Sequence, residues 1–275
     1  MANPMLNEQS LDRAFGSLRG GSGPAAPGFS LPREAPGRPI SDGPITPYQT
    51  GLMTMEGTAR RALILFAIVV AAAVVGWSMV TTGELGVTSF PVWLIVPALA
   101  AFGLAIITAF KPAVARFTAP AYAVCQGLFV GALSHVYEAS YSGIVVQALL
   151  GTAGVFGAML FLYSQRIIKV TDRMRKMVMA ATAGIAVIYL VGIVARLFGA
   201  DVAFLTDASG IGIVFSLVVV GVAAFNLLLD FDLIERSVQR GAPRELEWFA
   251  AFGLMVTVVW LYLELLRLLS RLNRR

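Results

Sequence analysis

Residues 209–230 read SGIGIVFSLVVVGVAAFNLLLD: twenty-one positions without a charge, then a carboxylate. At about 1.5 Å per residue, a helix of about 20 apolar residues crosses a hydrocarbon core of about 30 Å. Lipid offers no partner to an open strand edge, so a segment of this kind is helical by necessity. Working outward, the next apolar run is 247–269, and five more lie upstream, near 62–82, 90–110, 118–137, 142–163 and 177–198. Seven runs predict an all-α membrane protein, a bundle of seven transmembrane helices over 51–275. Composition agrees: 57% of the 275 residues are hydrophobic and only 13% charged, against about 25% charged in soluble domains.

Residues 1–50 differ. They hold eight prolines and seven glycines, and Arg13, Arg19, Arg33 and Arg38 offset Glu8, Asp12, Glu34 and Asp42. Such a stretch buries too little apolar surface to offset its ordering entropy, so a disordered cytoplasmic tail is expected. No basic segment with an apolar core opens the chain, so no signal peptide is expected.

Loop charges predict the orientation. Lys111 and Arg116 lie in one loop, Arg166, Lys169, Arg173, Arg175 and Lys176 in a second, and Arg236, Arg240 and Arg244 in a third. Of basic residues the alternate loops carry only Arg196. A bias of this size puts the basic loops and the N-terminus in the cytoplasm, and Glu84, Glu138, Asp201 and Asp207 outside. The last segment conflicts with the rule. Seven crossings place Arg267, Arg271, Arg274 and Arg275 on the outer side.

The chemistry this chain can perform is narrow. With one histidine, His135, and one cysteine, Cys125, it cannot build a His/Cys metal site by itself. No nucleophile elbow, H-E-x-x-H or phosphate-cradling glycine loop occurs, so no enzyme and no cofactor are expected. The net charge of +5 fits anionic lipid and the topology signal, not nucleic acid. Small residues at 151, 154 and 157, and at 212, 216 and 221, suit close helix packing.

The informative residues are acids in or beside apolar helices, each costly and therefore a functional hypothesis. Asp230 follows three leucines and lies one turn from Asn226. Ionising a carboxyl in such surroundings is expensive, which makes it a proton-sensor candidate. Asp232 faces elsewhere on the helix and stands four residues before Arg236, the favourable order for an ion pair. Glu264 stands three residues before Arg267, and Glu247 opens the last segment beside Trp248. These read first as an interfacial ion pair and as an acid favoured by the helix N-terminus.

The segments DFDLIERSV (230–238) and LEWFAAFGLMVTVVWLYLELLRLLSRL (246–272) resemble the last two helices of the Bax inhibitor-1 family, in particular its YccA-like bacterial branch. The resemblance covers roughly 51–272. It implies a seven-helix bundle with a central last helix in a bacterial plasma membrane, and a pH-sensitive calcium leak in which calcium is the permeant ion. In the family two aspartates on the last two helices share a proton, and a basic residue near the second and third helices helps hold the closed state. Asp230 matches the first aspartate. Arg116, or else Lys111, matches the basic residue. The second acid is Glu264 if Leu261-Tyr262-Leu263 is the anchor, but Thr257 takes the acidic position if Leu265-Leu266-Arg267 is. Measured from the turn at 241–243, Asp230 lies about 18 Å deep, Thr257 about 22 Å and Glu264 about 33 Å. Straight helices would therefore level Asp230 with Thr257. Partners expected are the bilayer, calcium ions and, on an alternative reading as an interaction protein, another membrane protein such as a quality-control protease.

Overall fold

A computed structural model describes residues 51–80, 93, 95–199 and 210–274. The tail over 1–50 and the acids expected on the outer side, Glu84, Asp201 and Asp207, lie outside them. Among the described residues seven α-helices follow in order: α1 Met55–Ser78, α2 Ile95–Phe110, α3 Ala115–Ser140, α4 Ile144–Ser164, α5 Asp172–Leu197, α6 Gly210–Gln239 and α7 Leu246–Asn273. A 3₁₀ turn, Pro112–Val114, leads into α3. No strand occurs among the described residues. One isolated antiparallel bridge joins Leu52 to Pro243.

Helix ends depart from the apolar runs where capping chemistry extends them. α1 begins at Met55, ahead of the apolar stretch, because Thr54 is extended and its hydroxyl accepts the Gly57 N–H at 2.9 Å. Glu56 in the first turn complements the exposed N–H groups. Thr171 caps α5 in the same way, accepting from the Met174 N–H at 3.2 Å, with Asp172 behind it. Before α4, the Glu138 carboxylate accepts the N–H groups of Gly143 (2.6 Å) and Val145 (3.0 Å). Gly143 there takes a φ of 82°, which a side chain would resist. α6 does not stop after the apolar run. It continues unbroken past Asp230 to Gln239, so that acid lies within the helix and not at its end.

α7 is the central element, packed against α1, α3, α4 and α6. α2 lies against α3, and α5 leans on α6. Among the described residues six helices are long and apolar enough to cross a membrane, and α2 is a shorter apolar helix. Their outer faces carry large apolar side chains, such as Leu63, Val70, Leu150, Leu190 and Ile193, all more than half exposed. That surface suits hydrocarbon and not water.

The closest helix contact is between α1 and α3. A Cβ on Gly127 would lie 2.5 Å from the Val69 carbonyl oxygen and 2.6 Å from the Ala72 Cβ. Gly131 meets the Ala73 backbone, and Gly76 meets the Leu128 backbone, just as closely. Gly127 and Gly131 form a G-x-x-x-G pair, the spacing that lets two backbones touch in lipid. The small residues singled out on α4 do less. Gly151 makes only ordinary contact with Leu265, and Gly154 and Gly157 face open space. Replacing Gly131 with Leu should therefore force α1 and α3 apart and cost about 1–3 kcal/mol or more. Gly154→Leu should leave thermal unfolding in detergent near the wild-type midpoint. Equal midpoints for the two variants would contradict this packing.

Candidate functional site

Polar side chains on α7 meet partners from several helices, and they form three levels. At the N-terminal end of α7, Glu247 is fully buried. It pairs with Arg61 of α1 and accepts the Thr54 N–H at 2.8 Å. The Arg61 guanidinium also lies over the Trp248 ring, 5.5 Å from its centroid. Backbone bonds from Met53 N–H to the Ala242 carbonyl (2.8 Å) and from Arg244 N–H to the Gly51 carbonyl (2.9 Å) fasten the entry to α1 onto the α6–α7 turn. Glu247 is thus more than an acid at a helix N-terminus. It joins three parts of the chain.

At the same end, Asp232 is buried and paired twice. Arg236 Nε donates to Oδ1 at 2.9 Å, the expected one-turn pair, and Arg175 of α5 donates to Oδ2 at 2.6 Å. Glu235, on the neighbouring face, accepts the Tyr163 hydroxyl and pairs with Arg166.

The level above holds Asp230. Its surroundings come from α7: the Thr257 hydroxyl, and Gly253, where a Cβ would lie 3.8 Å from Oδ1. Oδ2 is cut off from the exterior and accepts no hydrogen bond among the described residues. Asn226, one turn away, reaches instead to α5. Its amide donates to the Thr182 hydroxyl at 2.8 Å and to the Val222 carbonyl at 2.9 Å.

The far level centres on Glu264, which is 1% exposed. Its carboxylate accepts the Tyr189 hydroxyl at 2.9 and 3.0 Å, Arg267 Nη1 at 2.8 Å and Trp260 Nε1 at 3.3 Å. Arg267 also donates to the Tyr189 oxygen at 2.6 Å. One turn on, Arg271 is buried and donates to the Gly212 carbonyl and to Ser216 Oγ, the latter at 2.8 Å. Arg274 donates to the Tyr141 hydroxyl at 3.0 Å. Much of the positive charge at the chain's end is therefore engaged within the protein, which eases its conflict with the loop-charge rule.

These positions correct two expectations. Glu264 does not face Asp230. It lies seven residues beyond Thr257, about 10 Å along the helix axis, and is engaged by Tyr189 and Arg267. No break in the helix after Asp230 closes that gap, because α6 continues as a helix to Gln239. Arg116 is not beside Asp230 either. It is exposed at the start of α3 with its guanidinium over the Phe117 ring, 4.5 Å from the centroid, and Lys111 is likewise exposed. The acid on α6 thus stands opposite a threonine, with no second carboxylate against it among the groups described.

Sequence reasoning missed Tyr189, Thr182 and the α5 partner of Asp232. A signal was present in the seven-residue spacing of Arg175, Thr182 and Tyr189, which puts all three on one helix face. His135 is a structural residue: Nδ1 lies 2.9 Å from the Trp77 carbonyl and the two rings stack. Away from the acids, α1, α3, α4 and α7 enclose an almost wholly apolar groove of about 660 Å³, lined by Phe66, Trp77, Leu149, Phe156 and Val258 among others.

Six long apolar helices, apolar outside and joined by charged pairs within, define a multi-pass helical membrane protein. The chain belongs to the Bax inhibitor-1 family: the family model described as Bax inhibitor 1 like matches residues 3–274. That match extends into the proline-rich stretch, beyond the region that carries the motif resemblance. Compared with curated proteins and with solved structures, the chain has no significant match.

Glu247 and Asp230 should respond differently to substitution. Glu247→Ala leaves Arg61 without its main counter-charge and should cost about 3–5 kcal/mol. Asp230→Asn keeps the shape and removes a group with an unanswered oxygen, so stability should stay within about 1 kcal/mol of wild type. Chemical or thermal unfolding of purified protein in detergent checks both. A large loss at Asp230→Asn would mean that its carboxylate has a partner the structure lacks.

Proposed function

We propose that the protein is a pH-sensitive cation leak, with calcium as the main permeant ion, in a bacterial plasma membrane. The N-terminus and the basic loops would face the cytoplasm. The observation that carries this reading is Asp230: an acid inside the helix packing, with one oxygen unanswered and a hydroxyl as neighbour. Such an arrangement costs stability and is retained where it serves a task.

The mechanism follows from charge. Protonated, the Asp230 carboxyl is neutral and can share a hydrogen bond with Thr257, so the α6–α7 contact closes around it. Once it ionises, the carboxylate has no cation beside it and draws water or a metal ion. Calcium takes six to eight oxygens. Asp230, Thr257, Asn226 and nearby carbonyls supply too few for tight retention, which favours passage over storage. Flux should therefore be low in acid and rise as the proton leaves. Because Glu264 is engaged elsewhere, one acid governs the response, and the flux–pH curve should have the gentle slope of a single proton.

Calcium flux into vesicles containing the purified protein, measured between about pH 5 and pH 8, tests this. Wild type should show a one-proton pH dependence, and Asp230→Asn should abolish the flux or make it indifferent to pH. Flux no higher than in empty vesicles at every pH would overturn the proposal. A second reading, as an interaction protein for another membrane protein, is favoured by the apolar groove between α1 and α4. That activity would survive Asp230→Asn and be lost when bulky residues fill the groove, for instance at Ala153.

A further inference from the structure

α5 is attached to the rest of the protein differently from the other helices. Its contact face is Arg175, Val178, Thr182, Ile185 and Tyr189, a three–four spacing like that of a coiled-coil seam. Val178 and Ile185 are its buried hydrophobic residues among those described. The three positions between and beside them, seven residues apart, are polar, and each is bonded to α6 or α7. Arg175 reaches Asp232 at 2.6 Å, Thr182 meets Asn226 at 2.8 Å, and Tyr189 meets Glu264 at 2.9 Å. In lipid, apolar burial does not drive helices together, so such polar bonds and local packing decide how firmly a helix is held.

We infer that the seam between α5 and the α6–α7 pair is the cation route, that α5 is the helix that moves to open it, and that Tyr189, Glu264 and Arg267 form its outer gate. This rests on the reading of the protein as a leak and adds where the ion goes. The seam offers oxygen at each level. Asp232 lies at the inner end, Thr182 and Asn226 in the middle, and Tyr189 and Glu264 at the outer end. Asp230 stands between the inner and middle levels, two residues from Asp232 and one turn from Asn226. A hydrated cation prefers such a ladder to the apolar groove between α1 and α4, whose lining is nearly free of polar surface. Arg267 supplies the barrier. Its guanidinium is held over the Tyr189 ring, 4.8 Å from the centroid, and bonded to both Tyr189 and Glu264. While those bonds hold, a positive charge and a closed hydroxyl–carboxylate contact block the outer end.

The test uses the full chain in lipid vesicles with Cys125 replaced by alanine. In that background Thr182→Cys and Asn226→Cys are combined and joined by a short, reducible, bifunctional thiol reagent. The cross-link should stop calcium flux, and reductant should restore it. The same reagent applied to Ser134→Cys with Tyr262→Cys, an α3–α7 contact of 2.7 Å, should leave flux intact. Separately, Tyr189→Phe should raise flux about tenfold, the scale expected when one charge-assisted bond no longer holds a closed state, and should keep its dependence on pH. Flux that responds to Asp230→Asn yet is indifferent to the α5–α6 cross-link would overturn this inference and leave the leak intact. A wild type without flux would defeat the leak itself. Labelling of the single thiol at position 182 by a charged, water-soluble reagent then decides the seam without reference to flux. Reaction faster than at Leu149→Cys, and faster again with Tyr189→Phe, supports a water-accessible seam, and equal protection at both positions overturns it.

Discussion

A polar side chain placed in hydrocarbon has to be answered by another part of the same protein, and α7 carries several of them into the centre of this one. Glu247, Thr257, Glu264, Arg267 and Arg271 all lie on a helix most of whose buried residues are apolar. Each charged member finds a partner on α1, α5 or α6. Those bonds, more than apolar burial, fix which helix lies against which face of α7. Asp230, which faces α7 from α6 with one oxygen unanswered among the described residues, departs from this rule.

The constraint also separates two kinds of helix contact. Where α1 meets α3, Gly76, Gly127 and Gly131 bring backbone against backbone, and the contact is tight and apolar. Where α5 meets α6 and α7, side chains bridge the gap through hydroxyls, an amide and ion pairs. A backbone contact of the first kind opens only by unfolding. A side-chain contact of the second kind can exchange its partners for water or an ion at much lower cost, so the proposed motion and conduction belong on the α5 side of the molecule.

Much of the architecture was legible in the sequence. Runs of about twenty apolar residues gave seven helices, because in lipid an apolar run leaves the backbone no alternative to a helix. Their ends were less legible. Thr54 and Thr171 start helices well before the apolar runs, and α6 continues through charged residues that the hydropathy pattern treats as loop. The ion pair of Asp232 with Arg236 was readable, being one turn apart, whereas its bond to Arg175 depends on how α5 lies against α6. Depth arithmetic and the Leu265-Leu266-Arg267 anchor both matched Asp230 with Thr257, as the helices have it, while the Leu261-Tyr262-Leu263 anchor pointed to Glu264. In the structure Tyr189 and Arg267 engage Glu264. Nothing in local sequence announces a partner seventy-five residues away. The heptad spacing of polar residues on α5 was visible, but it gains meaning only once α5 is known to lie on α6.

The central claim is that Asp230 exchanges its proton inside the protein and that this exchange is the switch. Infrared difference spectroscopy of the protein in lipid, titrated from acid to neutral pH, reads that proton directly. The account predicts a protonated-carboxyl carbonyl band that fades as pH rises, over the same range in which the pathway opens, and that is missing from Asp230→Asn. A wild-type spectrum identical to that of Asp230→Asn throughout the titration would contradict it.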